Sequence, residues 1–403
     1  MLQTQKSLRL HIGFFGKTNV GKSTLVNNIV QQDVSIVSNI SGTTTDTVEK
    51  TMELQPLGPV LLLDTAGIDD TSVLGNKRIE KTKLVMPRVD VAVIVSDFDG
   101  WNEYDIELAK EFKEINIPIL AVINKSDVKK ISQEKKEIIC SFANEIVELS
   151  ALADKNLTDL IIQKLIQILP EEIVSPVQIV GDILSPGSFV LMVVPIDKAA
   201  PKGRLILPQV QTIRDILDFG CASIVVRDTE VNEFLQKLSV PPSLVITDSQ
   251  VFKTVSEILP TSVPLTSFSI LFARYKGDLN VFKEGAKTIS RLQDGDKILI
   301  CESCTHHRTD DDIGRVKIPS LVKKFTGKNL IFEHFSSHEF PQNVQDYKLI
   351  IHCGGCMTNR REILSRNLKS KKQNVPITNY GITIAYCLGI LDRALEPFNF
   401  CEQ

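Results

Sequence analysis

The sequence predicts an α/β protein: a P-loop domain on a mixed, mostly parallel sheet, followed by two smaller α/β domains. Three observations lead there. A complete phosphate-loop pattern, Gly16-Lys17-Thr18-Asn19-Val20-Gly21-Lys22-Ser23, sits between an apolar run and a helix-like segment. Four further short motifs follow it, two of them directly behind apolar runs and so at strand ends. Beyond residue 172, apolar runs recur between stretches of helical spacing.

Leu8 to Phe15 reads as a short buried strand, and Lys22 to Gln31 carries Leu25, Val26 and Ile29 at helical spacing. Gly16 and Gly21 let the connecting backbone fold back so that successive N–H groups point inward, and the helix N-terminus adds its positive dipole end. The loop is an anion cradle in which Lys22 reaches the β- and γ-phosphates and the Ser23 hydroxyl holds Mg²⁺. Thr24, next in the helix, belongs to the same nucleotide-binding set.

With 403 residues, 43% hydrophobic and 24% charged, the chain is a globular protein of two to three domains. A net charge of −3 carries no nucleic-acid or membrane footprint. No apolar run approaches the roughly 18 residues that span a bilayer. No apolar signal core precedes Leu8, so a cytoplasmic location is expected. In a reducing compartment the eight cysteines read as thiols or metal ligands. Cys140, Cys221, Cys387 and Cys401 stand alone, whereas Cys301 with Cys304 and Cys353 with Cys356 form close pairs.

The motifs after the loop follow the order of a small GTPase domain. Ser41-Gly42-Thr43-Thr44-Thr45-Asp46 occupies the first switch position, where Thr44 is expected to close over Mg²⁺ and the γ-phosphate. Asp64-Thr65-Ala66-Gly67 follows the apolar run Val60 to Leu63. Asp64 then holds Mg²⁺ at a strand end, and the Gly67 N–H senses the γ-phosphate. Asn124-Lys125-Ser126-Asp127 follows the strand Pro118 to Ile123. The Asp127 carboxylate accepts from both N1–H and the exocyclic amine of guanine, a donor pair adenine lacks, so GTP and GDP are the expected nucleotides. Ser150-Ala151-Leu152, after the strand Ile146 to Leu149, supplies a backbone N–H for guanine O6.

Residues 8 to about 170 resemble the translation-factor-like GTPases that include tRNA-modifying and ribosome-assembly members. The resemblance implies catalytic roles for Lys22, Thr44, Asp64 and Gly67. Ile68 stands where Ras-like enzymes carry a water-orienting glutamine, which implies slow intrinsic hydrolysis. Asn19 matches the residue that helps bind K⁺ in the potassium-activated members, where a monovalent cation supplies charge beside the phosphates. Tolerance of left-handed backbone is the other reason for an asparagine there.

Leu169 to Pro176 breaks the last GTPase helix and reads as a linker. Behind it, the strand Phe189 to Val194, the helix Gln209 to Phe219, the strands Ala222 to Val226 and Leu244 to Thr247, and the helix Val231 to Leu238 make a small α/β unit. It holds no catalytic constellation. Asp197, Lys198, Lys202 and Arg204 read as a solvated loop, and the unit is expected to mediate homodimerisation.

Further on, the apolar strands Lys297 to Cys301 and Tyr347 to His352 each run into a cysteine turn. In an open α/β sheet such strand ends share one crevice, so Cys304 can meet the turn Cys353-Gly354-Gly355-Cys356 despite 48 intervening residues, 305 to 352. The helix-like stretch Thr358 to Leu368 places Cys356 near a helix N-terminus, which favours thiolates. Four thiols would close a structural Zn²⁺ site; three would hold an iron–sulfur cluster with one exchangeable position. The spacing is long for a zinc ribbon, where about 15 to 20 residues are usual.

Cys304-Thr305-His306 followed by His352-Cys353-Gly354-Gly355-Cys356 resembles the C-x-H and H-C-x-x-C pattern of the FeFe-hydrogenase maturation GTPases, HydF, and the domain order extends the likeness over nearly the whole chain. The resemblance implies a 4Fe–4S cluster on Cys304, Cys353 and Cys356. It implies a scaffold that receives a transient diiron precursor, with radical-SAM maturases and apo FeFe-hydrogenase as partners, and a dimer built on the middle domain. His306 and His352 are either labile ligands or donors behind the ligands. His307, His334 and His338 read as surface or packing residues, and Cys301 as a core thiol. The expected domains are 1–172 for GTP binding, 173–265 for dimerisation and 266–403 for the cluster. The competing reading is a regulatory GTPase of the tRNA or ribosome type with a structural zinc domain; the absence of a basic, aromatic-rich stretch opposes it.

Overall fold

The computed structural model describes residues 4–32, 38–40, 47–67, 73–171, 177–196, 205–303, 312–336, 340–341 and 343–398. It divides into two compact units, Met1–Pro176 and Val177–Gln403. In the first, β1 (Leu10–Phe15) leads into α1 (Lys22–Gln32), then β2 (Ser38–Ile40), β3 (Val48–Leu54) and β4 (Gly58–Asp64). Next come α2 (Val73–Val85), β5 (Val91–Ser96), α3 (Glu103–Glu114), β6 (Ile119–Ile123), α4 (Gln133–Cys140), β7 (Glu145–Glu148) and α5 (Leu157–Ile168).

The strands form one seven-stranded sheet in the order β2-β3-β4-β1-β5-β6-β7. β3 is antiparallel to β2 and β4, and all other pairs are parallel. Central parallel strands are covered on both faces, so they read as unbroken apolar runs. Phe14 and Leu62 enter the core on one face with Leu25 and Ile161, while Phe15, Leu61 and Leu63 enter the other with Ile94 and Phe112. Each such side chain contributes about 1.5–3 kcal/mol when fully buried. The first strand begins at Leu10, two residues later than the apolar pattern implies, because Lys6–Leu8 close a 3₁₀ turn.

The second unit holds two four-stranded, all-parallel sheets. One comprises β8 (Phe189–Val193), β9 (Ala222–Val226), β10 (Leu244–Thr247) and β11 (Leu265–Ser267) in the order β11-β10-β8-β9. Its helices are α6 (Leu207–Asp218), α7 (Val231–Lys237) and α8 (Phe252–Ile258). The other comprises β12 (Lys297–Glu302), β13 (Ile331–Ser336), β14 (Leu349–His352) and β15 (Ile377–Asn379) in the order β13-β12-β14-β15. Around it lie α9 (Phe268–Lys276), α10 (Leu279–Lys287), α11 (Ile318–Thr326), α12 (Arg360–Lys372), α13 (Tyr380–Cys387) and α14 (Leu391–Leu395).

One continuous apolar core, from Ile179 to Phe398, joins the two sheets. α9 is central to it: Phe268, Ile270, Leu271 and Phe272 are buried, and the helix packs on α6, α12 and α13. α10 lies so close to β15 that a Cβ on Gly285 would fall 2.0 Å from the Ile377 carbonyl oxygen, which only glycine permits. No helix among the described residues is long and apolar enough to cross a membrane.

Candidate functional site

Parallel order brings the C-terminal ends of β4, β1, β5, β6 and β7 out along one edge of the first sheet, and the nucleotide motifs occupy that edge. The phosphate loop turns through Gly16 at φ 134°, Asn19 at 62° and Gly21 at 89°. A Cβ on Gly16 would sit 2.1 Å from the Val95 carbonyl oxygen. Asn19 therefore holds the left-handed conformation its residue type tolerates, and its side chain is exposed. Lys22 is buried, with Nζ 3.0 Å from Asp64 Oδ1, and the Ser23 hydroxyl donates to Asp64 Oδ2 at 2.8 Å. Strand pairing of β1 with β4 is what sets Asp64 beside the loop, since Phe14 and Asp64 are register partners. Lysine, serine and carboxylate thus meet at one point, the arrangement that phosphate and Mg²⁺ require. Thr24 is exposed in the first turn of α1.

Gly67 lies against the same loop: a Cβ there would come within 2.6 Å of the Thr18 backbone nitrogen. Thr44 and Ile68 lie outside the described residues.

Asn124 ties the site together. Its Nδ2 donates to the Val20 carbonyl at 2.8 Å and its Oδ1 accepts from the Ala151 N–H at 2.8 Å, an orientation fixed because one partner is only an acceptor and the other only a donor. One side chain, 3% exposed, therefore clamps the phosphate loop to the Ser150-Ala151-Leu152 loop. In the loop expected to supply a backbone N–H for guanine O6, the Ala151 N–H donates to Asn124 and the Ser150 N–H donates to Asp154 at 2.6 Å. Asn28 Nδ2 donates to the Ala151 carbonyl. Lys125, at φ 59°, pairs with Asp97 at 3.3 Å, and Asp127 is exposed at the rim.

In the second unit, β12 and β14 are adjacent and parallel, with Cys301 opposite His352. The turn Cys353 to Cys356 leaves the end of β14 and runs toward α12, whose N-cap Asn359 accepts from the Glu362 N–H. Gly355 takes φ 62° and nothing lies within 4 Å of a Cβ placed on Gly354, so the turn is tight and open on one side. Ser303 N–H donates to Cys353 Sγ at 3.3 Å. Burial pushes the Cys353 thiol up while that N–H and the Gly355 N–H pull it down. Cys301 is wholly buried and pushed up to about 12, which fits a core thiol. Cys304 and His306 lie outside the described residues, as do His307, His338 and Cys401.

Behind the turn is a buried polar layer, in which sequence reasoning weighs His352 as a donor behind the ligands but misses Arg366, Glu362 and Lys276. Arg366 Nη1 lies 2.6 Å from His352 Nε2, and a guanidinium only donates, so Nε2 accepts and Nδ1–H donates to the Cys353 carbonyl at 2.7 Å. Burial, with the Arg366 charge, pushes His352 down to about 3. Arg366 also pairs with Glu362, one turn earlier on α12. Buried Lys276 donates to the carbonyls of Gly355, Cys356 and Thr358. Burial pulls Lys276 down to about 8 against the opposing influence of Cys356 and Cys353. The Glu362 and Arg366 spacing was visible, but an i,i+4 pair ordinarily marks a solvated helix face. Lys276, ending an apolar helix, carried no local signal.

Sheet order, phosphate loop and base motif together define the class of the first unit, a P-loop GTPase domain. Residues 11–125 match the 50S ribosome-binding GTPase family. Residues 179–277 match the Hydrogen maturase F dimerization domain and residues 280–397 the Hydrogen maturase F tetramerization domain. With these two behind a GTPase domain, the chain belongs to the hydrogen maturase F family, HydF.

Among curated relatives, the tRNA modification GTPase MnmE of Caldicellulosiruptor saccharolyticus is 34% identical over 143 residues, covering 35% of this chain and 30% of that protein. GTPase Era of Aquifex aeolicus is 33% identical over 177 residues, covering 40% of this chain and 57% of that protein. The chain thus spans between about a third and somewhat over half the length of these relatives. A crystal structure of Era with MgGDPNP and a 16S ribosomal RNA segment aligns at 24% identity and a TM-score of 0.34, covering 56% of this chain and 93% of that one.

Asn124→Ala would orphan the buried Ala151 N–H and Val20 carbonyl, destabilising the first unit by about 1–3 kcal/mol and weakening GDP binding, checked by denaturant unfolding and nucleotide titration. His352 is held neutral, so its contribution to stability is complete above its unfolded value near 6.5 and is lost as pH falls toward about 3. The second unit should melt at steadily lower temperature across that window, and His352→Gln should flatten the dependence.

Proposed function

We propose that this chain is a GTP-hydrolysing scaffold that carries a 4Fe–4S cluster and hands a diiron precursor to apo FeFe-hydrogenase. The observation that carries the reading is the cysteine turn at the paired ends of β12 and β14, in a chain that also carries a GTPase domain. In the first unit, Lys22 and the loop N–H groups bind the phosphates, Ser23, Thr44 and Asp64 hold Mg²⁺, and Gly67 reports the γ-phosphate. Asp127 selects guanine. Asn19 provides one ligand for K⁺, in a loop geometry compatible with that role.

The donor set of the second unit suits a thiolate-held cluster. Two glycine-spaced cysteines leave a strand end, a backbone N–H points at Cys353 Sγ, and a buried ammonium stands behind the turn. Cys353, Cys356 and Cys304 would hold the cluster, and three thiolates leave one iron free for exchange. His352 acts from behind: its Nε2 is engaged by Arg366, so it orients the turn rather than binding metal. The diiron precursor is cargo, received from radical-SAM maturases.

Self-association through the middle region fits its family match and its surface. β9 is an edge strand on which Val225 is 43% exposed, and Leu217 on the adjacent α6 is 57% exposed. Two copies joined edge to edge would pair the open strand and cover these side chains.

Anaerobic reconstitution should give about four iron and four sulfide per chain and a reduced-state EPR signal that Cys353→Ser abolishes. One tightly held zinc and no cluster would withdraw the hydrogenase assignment. GTP turnover should be faster in KCl than in NaCl; equal rates would remove the K⁺ role from Asn19.

A further inference from the structure

We infer that Lys276 is a positioning residue for the cysteine turn: its ammonium gathers three carbonyls of the 355–358 backbone and sets a buried positive charge behind the cysteine thiolates. The inference rests on the reading of this turn as cluster-binding. Lys276 Nζ lies 2.7 Å from the Gly355 oxygen, 3.3 Å from that of Cys356 and 2.6 Å from that of Thr358. Three carbonyls converging on one point repel one another unless a donor stands between them. An ammonium has three N–H bonds and a neutral amine two, so this cage fits the charged form. At 2% exposure the charge has little contact with water, and charge-assisted hydrogen bonds offset its desolvation.

Two successive residues of α9 make the attachment, and the one before them anchors the helix within its own module. Arg274 forms a two-pronged pair with Asp182, the Tyr275 carbonyl accepts from Arg360 Nη1 at 2.7 Å, and Lys276 enters the turn. Arg360 opens α12, directly after the cysteine turn. Lys276 lies within the stretch that matches the dimerization domain, whereas the turn it holds lies within the tetramerization match. The cysteine geometry therefore depends on a helix from the neighbouring module. A charge so placed also favours electron uptake by an anionic cluster, which a purely structural peg would not do.

Lys276→Met in the full-length protein tests this in two ways. In the apo-protein, iodoacetamide alkylation of Cys353 and Cys356, mapped by peptide mass spectrometry, should be several-fold faster than in wild type as the turn opens. In the reconstituted protein, the midpoint potential from an EPR-monitored titration should move to more negative values, with GTP turnover unchanged. A folded Met variant with wild-type alkylation rates and wild-type potential would overturn the inference. Should wild type take up no cluster, the cluster reading fails, yet the alkylation comparison still decides whether Lys276 holds the turn. If the Met variant does not fold, Lys276→Gln keeps two donors and no charge, and an unchanged potential in that variant overturns the inference.

Discussion

Parallel strand pairing is the constraint on which both sites depend. A parallel sheet brings the C-terminal ends of its strands out along one edge, and the loops leaving them must share that space. In the first unit this sets Asp64 beside Lys22 and Ser23, because β4 pairs with β1 in a register that matches Asp64 to Phe14. In the second it sets Cys353 beside Ser303, because β14 pairs with β12. A slip of one residue in either pairing would invert every side chain between the sheet's two covered faces, at a cost of several buried apolar groups. Register is therefore protected by the whole core.

On this frame, buried polar side chains do the finer positioning. Asn124 joins two loops that strand order alone only brings near. His352, Arg366 and Glu362 form a chain behind Cys353, and Lys276 gathers the carbonyls of the turn. All five are nearly inaccessible to water, where an unmatched donor or acceptor costs about 1–3 kcal/mol. Such groups hold their partners within narrow limits, since any loosening leaves a buried polar atom unsatisfied. The cysteine turn is consequently hydrogen-bonded on its protein side and open at Gly354.

The continuous core of the second unit makes α9 a shared element. Its apolar face packs into that core, while its last turn fastens the 355–358 backbone and the start of α12. Displacement of this helix would be felt at the cysteines through Tyr275 and Lys276 without any contact to a ligand.

What the sequence by itself determined is the chemistry that is local in the chain. Gly16 to Ser23, Asp64 to Gly67 and Asn124 to Asp127 are contiguous motifs, and the apolar strands in front of them announce where each must sit. The strands Ala222–Val226 and Leu244–Thr247 were legible to the residue, since each is a short run rich in Val, Ile or Thr behind a Gly- or Pro-containing turn. Tertiary structure decided what depends on pairs distant in sequence: the antiparallel β3, half polar on its own; the clamp from Asn124 to Val20; and the partners of His352. It also decided Lys276 and Arg366, because no neighbouring residue distinguishes a lysine or arginine at a solvated helix face from one driven into the interior. Only the fold supplies the converging carbonyls that make burial of the charge tolerable.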